Sequence, residues 1–146
     1  MENCLICQKL KRESGDFDNP HWSFYFLPTH KRRGVGIFSP RKHIEKLSDL
    51  TSTDWQTLTS LYQEVEAFLS ETLAPGGMSL ALNIGPVSGQ VQKHLHWFCV
   101  PRFENEVFSG LGVEKWLLSS DNRRQKDLVA SGEWLENIES FLKESE

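Results

Sequence analysis

The stretch Gly89–Arg102, GQVQKHLHWFCVPR, places two histidines two residues apart within an apolar run. If 94–100 is a strand, alternate side chains point to opposite faces of a sheet. His94 and His96 then share one face with Phe98. The other face is apolar and suited to the core: Leu95, Trp97 and Cys99. A short His-x-His motif alone is more often a pair of solvated strand residues than a site, so the surrounding sequence must decide its role.

The overall composition predicts one domain with no strong charge preference. The chain has 146 residues, a net charge of −4 and a pI near 5.7, and a domain of this length buries about 70% of its unfolded surface. The acidic balance and the lack of a basic stripe argue against nucleic acid as a partner. The sequence shows no secretory leader and no apolar run near the roughly 20 residues that span a bilayer. We therefore expect a cytoplasmic protein without a membrane segment.

Periodicity along the chain predicts an α+β fold with a mainly antiparallel sheet. The expected strands cover 22–27, 34–39, 78–84 and 94–100. A turn and a short helix over 40–50 precede a long helix that Thr51 or Ser52 can cap. Within 55–73, apolar residues recur at three- and four-residue steps, which is typical of a helix packed on a sheet.

Three cysteines, two of them spaced as Cys4-x-x-Cys7, do not form the even set of a secreted disulfide framework. They favour a reduced compartment, with either a metal clip or free thiols. The pair alone leaves both open, because close cysteines can simply be buried small hydrophobes. Redox chemistry is less favoured, since no thioredoxin-like βαβ pattern surrounds the pair. Cys99 is expected in the core.

Two segments resemble the histidine triad (HIT) superfamily of nucleotidyl hydrolases and transferases. The first runs from Asn83 through a Gly-Gln turn to His94-Leu95-His96, and Pro101-Arg102 closes it. The second is Ile37–His43, IFSPRKH, followed by Leu47–Leu50; it is similar to the family's apolar strand, Pro-basic-x-His turn and short helix. Together with the cysteine pair, the resemblance spans roughly residues 1–103.

The resemblance implies a five-stranded antiparallel sheet packed by one long and one short helix. A C-terminal helix follows, where apolar residues recur at helical spacing from Trp134 to Leu142. We assign residues 1–110 to the HIT domain and 111–146 to a helical extension of the same domain. Family members usually dimerise through the long helix, which carries Trp55 here, and an adjoining strand. A homodimer is therefore expected.

The resemblance also assigns roles in catalysis, with His96 as the nucleophile and His94 as the histidine that orients the site. The positions expected to bind substrate are Asn83, Gly89, Gln90, Val91 and Phe98. A neutral imidazole with a pKa near 6.5 is a competent nucleophile at pH 7. Its attack on the α-phosphate of a dinucleoside polyphosphate or nucleoside phosphoramidate would give a covalent nucleotidyl-histidine that water then cleaves.

Three residues depart from the family pattern. Phe98 replaces the third histidine, which contacts the leaving group, and Val91 replaces a phosphate-contacting Ser or Thr. Leu27 stands where many members have an Asp or Asn that holds the ribose. General acid catalysis is typically worth about 10²–10⁴ in rate, so its loss slows the chemistry without abolishing it. We favour a slow or selective enzyme; the alternative is a catalytically weak nucleotide-binding or protein-interaction module.

Many HIT proteins that begin with Cys-x-x-Cys bind zinc, and this chain matches all four ligand positions. They are Cys4, Cys7, His43 and His94. A closed set of two cysteines and two histidines leaves no position for a reactive water. The resemblance therefore implies a structural zinc that pins the N-terminal segment beside the site. The alternative is a pair of free thiols at a loose terminus.

Overall fold

The computed structural model describes residues 3–27, 33–106, 109–110 and 112, and this part contains one antiparallel sheet and two α-helices. The strands are β1 (Phe17–Asp18), β2 (Trp22–Phe26), β3 (Gly36–Pro40), β4 (Gly77–Leu82) and β5 (Trp97–Arg102). Their order in the sheet is β1-β2-β3-β5-β4. The helices are α1 (Leu5–Arg12) and α2 (Ser52–Thr72). The predicted α+β fold, with a five-stranded antiparallel sheet, one long helix and one short helix, is confirmed.

Helix α2 packs on one face of the sheet and forms the core with it. The buried cluster combines strand and helix residues: Trp22, Phe24, Phe38, Cys99, Leu61, Val65 and Leu69. The predicted cap is present, since Thr51 Oγ1 accepts the Asp54 N–H and the Asp54 carboxylate accepts the Thr51 N–H. At the start of the helix, Trp55 stays 43% exposed, so the predicted apolar stripe is only partly core.

Two elements near the N-terminus were not predicted. Helix α1 has eight residues, of which Ile6 is buried, so it is too short for an apolar repeat over several turns to identify it. It begins after Cys4, whose sulfur accepts the Cys7 N–H at 3.4 Å. Strand β1 is two residues long, which is too short for any alternation to show.

The segment between β3 and α2 contains the expected turn and short helix of 40–50, but the helix is shorter than that range. It contains a three-residue 3₁₀ turn, Leu47–Asp49, none of whose residues is buried, so no packing supports further turns. The predicted C-terminal helix within 111–146 lies outside the described residues. In the described part of the chain, neither α-helix combines the length and the apolar character needed to cross a membrane.

The strand next to the site motif begins later than predicted. β5 starts at Trp97, which pairs with Phe38 of β3 and Leu82 of β4, so 94–96 precede the sheet instead of lying in it. The other three predicted strands agree with the observed bounds to within two residues. The expected alternation holds within β5, where Cys99 is fully buried in the α2 core.

A single backbone hydrogen bond explains why 94–96 leave the sheet. The Leu95 N–H donates to the carbonyl oxygen of Ile44 at 2.8 Å, so this segment pairs with the loop after β3. Leu95 and Ile44 are both buried, which shields the bond from water. The bond places His94 beside the loop residue His43.

Candidate functional site

Four metal-ligand side chains from three parts of the chain meet at one edge of the fold. Cys4 caps α1, Cys7 lies in its first turn, His43 lies in the loop after β3, and His94 precedes β5. One ligand atom from each lies within 4.8 Å of all the others. The residues expected to ligate a metal are therefore together, although the cysteines are far from the histidines in sequence.

The distances in this group match a tetrahedral metal site. The Cys7 Sγ lies 3.4 Å from the Nδ1 atoms of both His43 and His94, and the Cys4 Sγ lies 3.4 Å from the His94 Nδ1. Metal–sulfur and metal–nitrogen bonds of about 2.3 and 2.0–2.1 Å place neighbouring tetrahedral ligands about 3.5 Å apart. The group is positioned to bind a metal ion.

A main-chain carbonyl fixes which nitrogen of His94 faces the sulfur atoms. The His94 Nε2 lies 2.7 Å from the Pro40 carbonyl oxygen. A carbonyl oxygen only accepts, so Nε2 carries the hydrogen and Nδ1 keeps its lone pair toward the cysteines. Burial lowers the pKa of His94 to about 4. The ring is therefore neutral at pH 7, which is the form that ligates metals.

The other ligands also suit a metal. The His43 Nε2 lies 3.8 Å from a Glu45 carboxylate oxygen, on the side of the ring away from the cluster, where a carboxylate orients a ligating imidazole. Burial raises the pKa of Cys7, and the nearby Cys4 raises it further. A cation between the two sulfurs would offset this cost, because metal binding holds cysteines as thiolates. Two thiolates and two imidazoles form the donor set of closed zinc sites.

His96 is oriented by the main chain of a metal-ligand candidate. It is 8% exposed, and its Nδ1 lies 2.8 Å from the carbonyl oxygen of His94. That oxygen only accepts, so Nδ1 carries the hydrogen and the lone pair is on Nε2. The Phe98 ring packs edge-on against the His96 ring, with the centroids 5.5 Å apart. The neutral His96 ring therefore has an unprotonated nitrogen, Nε2, and the neighbouring phenyl group can neither donate nor accept a proton.

The loop after β4 is closed by its own hydrogen bonds. Gly85 and Gly89 have φ angles of +86° and +97°, which side chains other than glycine rarely adopt. The Gly89 N–H donates to the Pro86 carbonyl oxygen, and the Gln90 Oε1 accepts the Gly85 N–H at 2.8 Å. The Gln90 Nε2 is buried and has no partner among the described residues. The hydrogen bond of its oxygen holds this amide in place, and its nitrogen remains a donor without an acceptor among the described residues.

The remaining substrate-binding candidates differ in exposure. Asn83 is half-buried directly after β4, whereas Val91 is 87% exposed. Leu27 is half-buried after β2, and its N–H donates to the Val35 carbonyl oxygen at 2.9 Å. Of these three side chains, only that of Asn83 can form hydrogen bonds.

Two contacts of the site could not be predicted from residue types. The Gln92 Oε1 accepts the Leu5 N–H at 3.1 Å, which joins α1 to the end of the loop after β4. The Pro40 carbonyl orients His94. A main-chain acceptor has no sequence signature, and the Gln92 contact joins positions 87 residues apart.

Comparisons with known proteins agree with this fold. A family model described as the HIT domain matches residues 33–105. An uncharacterized HIT-like protein of Mycoplasma genitalium is 32% identical over 116 residues, which cover 77% of this chain and 82% of that protein. A zinc-bound histidine triad family protein of Mycobacterium smegmatis superposes with a TM-score of 0.64 at 18% identity, covering 99% of each chain. A HIT family hydrolase of Clostridium thermocellum gives a TM-score of 0.56 at 22% identity, covering 69% of this chain and 91% of that one.

The family model and the geometry cover different parts of the site. The matched segment contains His43, His94 and His96, whereas Cys4 and Cys7 precede it. The role of the two cysteines therefore depends on the distances in the cluster. On the family model and the Mycoplasma relative together, the chain belongs to the HIT domain family, within the superfamily of nucleotide hydrolases and transferases.

Proposed function

We propose that this protein is a nucleotidyl hydrolase or transferase in which His96 attacks the α-phosphate of a nucleotide conjugate. The observation that supports this best is the hydrogen bond from the His96 Nδ1 to the His94 carbonyl oxygen, because it leaves a lone pair on Nε2. As the bond from Nε2 to phosphorus forms, the bond from phosphorus to the leaving group breaks. The ring gains positive charge, and the hydrogen bond from Nδ1–H to the carbonyl stabilises it.

The phosphate oxygens would be bound by Gln90 and the turn around Gly89. The Gln90 Nε2 is a buried donor without a partner among the described residues, and a phosphate oxygen would satisfy it. The bond between the Gln90 Oε1 and the Gly85 N–H orients the amide before substrate arrives. Such preorganised donors cost little reorganisation during the reaction. Asn83, half-buried beside this turn, would supply a further polar contact.

The substrates would be conjugates whose leaving group needs little protonation. Phe98 contacts the His96 ring and can neither donate nor accept a proton. A nucleoside phosphate or pyrophosphate leaves readily as an anion, so dinucleoside polyphosphates fit better than phosphoramidates, whose amine must be protonated. Val91 and Leu27 add no polar contact in their family positions, which makes substrate binding less polar than the family pattern implies. If the chemistry is absent, the alternative is a nucleotide-binding or protein-interaction module.

The metal of the cysteine–histidine cluster would be a structural zinc ion. When bound, zinc would supply four bonds that hold α1 to His43 and His94, with no open position for substrate. These bonds would add to the packing of Ile6, the buried residue of α1, and would fix the docked position of the helix.

We extend the proposal to a homodimer formed through α2 and β4. In the sheet of the described residues, β4 is an edge strand, and Leu80 on it is 44% exposed. Leu80 pairs with Cys99, which belongs to the α2 core, so Leu80 lies on the same side of the sheet as α2. Trp55 of α2 is 43% exposed on that side. An unpaired edge with apolar side chains is a template for another chain.

Residues 1–110 would carry the nucleotide site, the metal site and the dimer interface, with 111–146 as an extension of the same domain.

Replacement of the nucleophile gives the first prediction. His96→Ala should lower nucleotide release from dinucleoside polyphosphates by about 10³-fold or more, because the covalent route is lost. His21→Ala is the matched control, since His21 pairs with Asp54 outside the site. Nucleotide release is measured by chromatography, with zinc content as a check on folding. Equal turnover by the His96→Ala and His21→Ala variants would contradict the proposed nucleophile. If neither variant cleaves the substrate but both bind nucleotide, the protein is the binding module instead.

Position 98 tests the leaving-group limit. Phe98→His should accelerate cleavage of nucleoside phosphoramidates by about 10²-fold, within the range of general acid catalysis, and change dinucleoside polyphosphate cleavage far less. Phe98→Leu, which keeps the site apolar, serves as the control and should accelerate neither. The ratio of kcat/KM for the two substrate classes is the readout. The same gain for both classes would show that position 98 does not act as the missing acid.

The metal prediction is independent of catalysis. The purified protein should contain one zinc ion per chain, and Cys4→Ser should lose it. Hydrogen exchange in α1 should then rise, because the helix loses its main attachment. Cys99→Ser is the control, as Cys99 is buried in the core, and it should retain the metal. Elemental analysis that finds no metal in a protein whose α1 is fully protected would overturn this assignment.

The dimer is tested at the edge strand. Leu80→Glu places a charge where the second chain would pack and should reduce the mass measured by sedimentation velocity to that of one chain. Leu47→Glu introduces the same charge at another exposed apolar residue and should leave the dimer intact. A wild-type protein that sediments as a monomer at high concentration would exclude this interface.

A further inference from the structure

We propose that Cys4 and Cys7 are also a thiol-oxidation site for a small anionic disulfide, and that closure of a Cys4–Cys7 disulfide releases the metal and frees α1. This rests on the proposed metal centre and on no step of the nucleotide reaction. Cavity access, the spacing of the sulfurs and the attachment of α1 support it independently.

The first argument is access to Cys7. A cavity of about 300 Å³ opens beside the cluster, and its lining consists of Cys7, Leu10, Lys11, Arg41 and His43. A second cavity, of about 730 Å³, reaches Cys4 from the other side, but Cys4 is buried and Cys7 is half-buried, so the Cys7 sulfur is the more accessible of the two. Lys11 and Arg41 give the cavity a positive lining. Arg41 is paired with Asp18 at 3.2 Å, which leaves exposed Lys11 as the cation best placed to attract a carboxylate-bearing oxidant.

The second argument is the spacing of the two sulfurs. The Cys7 N–H donates to the Cys4 Sγ at 3.4 Å, and the two Sγ atoms lie within 4.8 Å of each other. A disulfide needs an S–S distance of about 2.05 Å. Cys4 is the N-cap of α1 and Cys7 lies in its first turn, so side-chain rotation brings the two sulfurs together while the helix stays formed. Cys99, buried in the α2 core, is remote from this chemistry.

The reaction is a two-step thiol–disulfide exchange that balances. The Cys7 thiolate attacks one sulfur of the oxidant RSSR, which forms a mixed disulfide with Cys7 and releases one RS⁻. The Cys4 thiolate then attacks the Cys7 sulfur, which forms the Cys4–Cys7 bond and releases the second RS⁻. Two electrons pass from the cysteine pair to the oxidant. With both thiolates consumed, two histidines remain as ligands and the dication dissociates.

The third argument is what α1 holds in place. Besides the cluster, the contacts of α1 include the hydrogen bond from the Leu5 N–H to the Gln92 side chain and the position of Lys9 over the Tyr25 ring. Gln92 lies two residues before His94, in the segment that joins the loop after β4 to the site. Undocking α1 therefore removes both its metal ligands and the hydrogen bond to this segment. Oxidation of the cysteines would loosen the loop from one side.

The experiment uses the full chain carrying Cys99→Ser, so that only two thiols remain. The zinc-loaded protein is incubated with glutathione disulfide, which carries carboxylates, or with neutral hydroxyethyl disulfide. Loss of two hydrogens in the protein mass, zinc release to a chromophoric chelator and hydrogen exchange in α1 are followed together. We expect one zinc released per two thiols lost, faster exchange in α1, and reversal by a thiol reductant with added zinc.

Charge variants test the role of the cavity. Lys11→Glu should slow the reaction with glutathione disulfide about tenfold and leave the hydroxyethyl disulfide rate unchanged. Lys46→Glu, the same charge change at an exposed residue outside the cavity lining, should affect neither rate. Equal effects of Lys11→Glu on both oxidants would overturn the anionic specificity. A protein that loses no thiol, or stops at a mixed disulfide, would overturn the oxidation site even if its nucleotide chemistry proves correct.

Discussion

The site depends on His94, whose polar groups each hold a different part of the molecule. Its Nδ1 faces the sulfurs of Cys4 and Cys7, its Nε2 donates to the Pro40 carbonyl, and its own carbonyl accepts from His96. The side chain is fully buried, so an unsatisfied nitrogen here would carry a full desolvation cost. One residue therefore sets the geometry of both the metal cluster and the proposed nucleophile. In this arrangement, the metal and the proposed catalysis would be coupled only through the positions of their residues.

Sequence periodicity predicted those elements whose side chains alternate between core and solvent. Helix α2 and four of the strands were found because their burial repeats along the chain. Helix α1 was missed since its position depends on contacts with residues near His94, which no local pattern encodes. The same reason explains why 94–96 was predicted to be part of a strand. The alternation of polar and apolar side chains continues through this segment, but its backbone hydrogen bond goes to the Ile44 carbonyl oxygen in a loop and not to a neighbouring strand.

Residue type carried most of the information about the site. Cysteine and histidine are rare residues with few chemical roles, so the family resemblance could name four metal ligands. The fold brings one ligand atom from each of them within 4.8 Å of the others. What the sequence could not supply is the protonation of each ring, because His94 and His96 are both oriented by main-chain carbonyls. The hydrogen bond between the Leu5 N–H and the Gln92 side chain likewise could not be predicted from the sequence. Motifs thus identified reactive groups, while backbone geometry determined which atom of each can react.

The packing around position 98 explains why a phenyl group is compatible with this site, and the chemistry of phenyl shows how it would affect each half of the proposed reaction. Phe98 lies opposite Ile37 and Ala81 in the sheet, so its neighbours in register are apolar. In the first half-reaction a leaving group departs without an acid at position 98, and the barrier depends on how well that group bears negative charge. In the proposed second half-reaction the His96 imidazole would depart without needing a proton, because the ring already carries positive charge, but the attacking water would have to lose one. Phe98 can act neither as an acid nor as a base, so it would restrict formation of the nucleotidyl-histidine and give no help to the water that cleaves it.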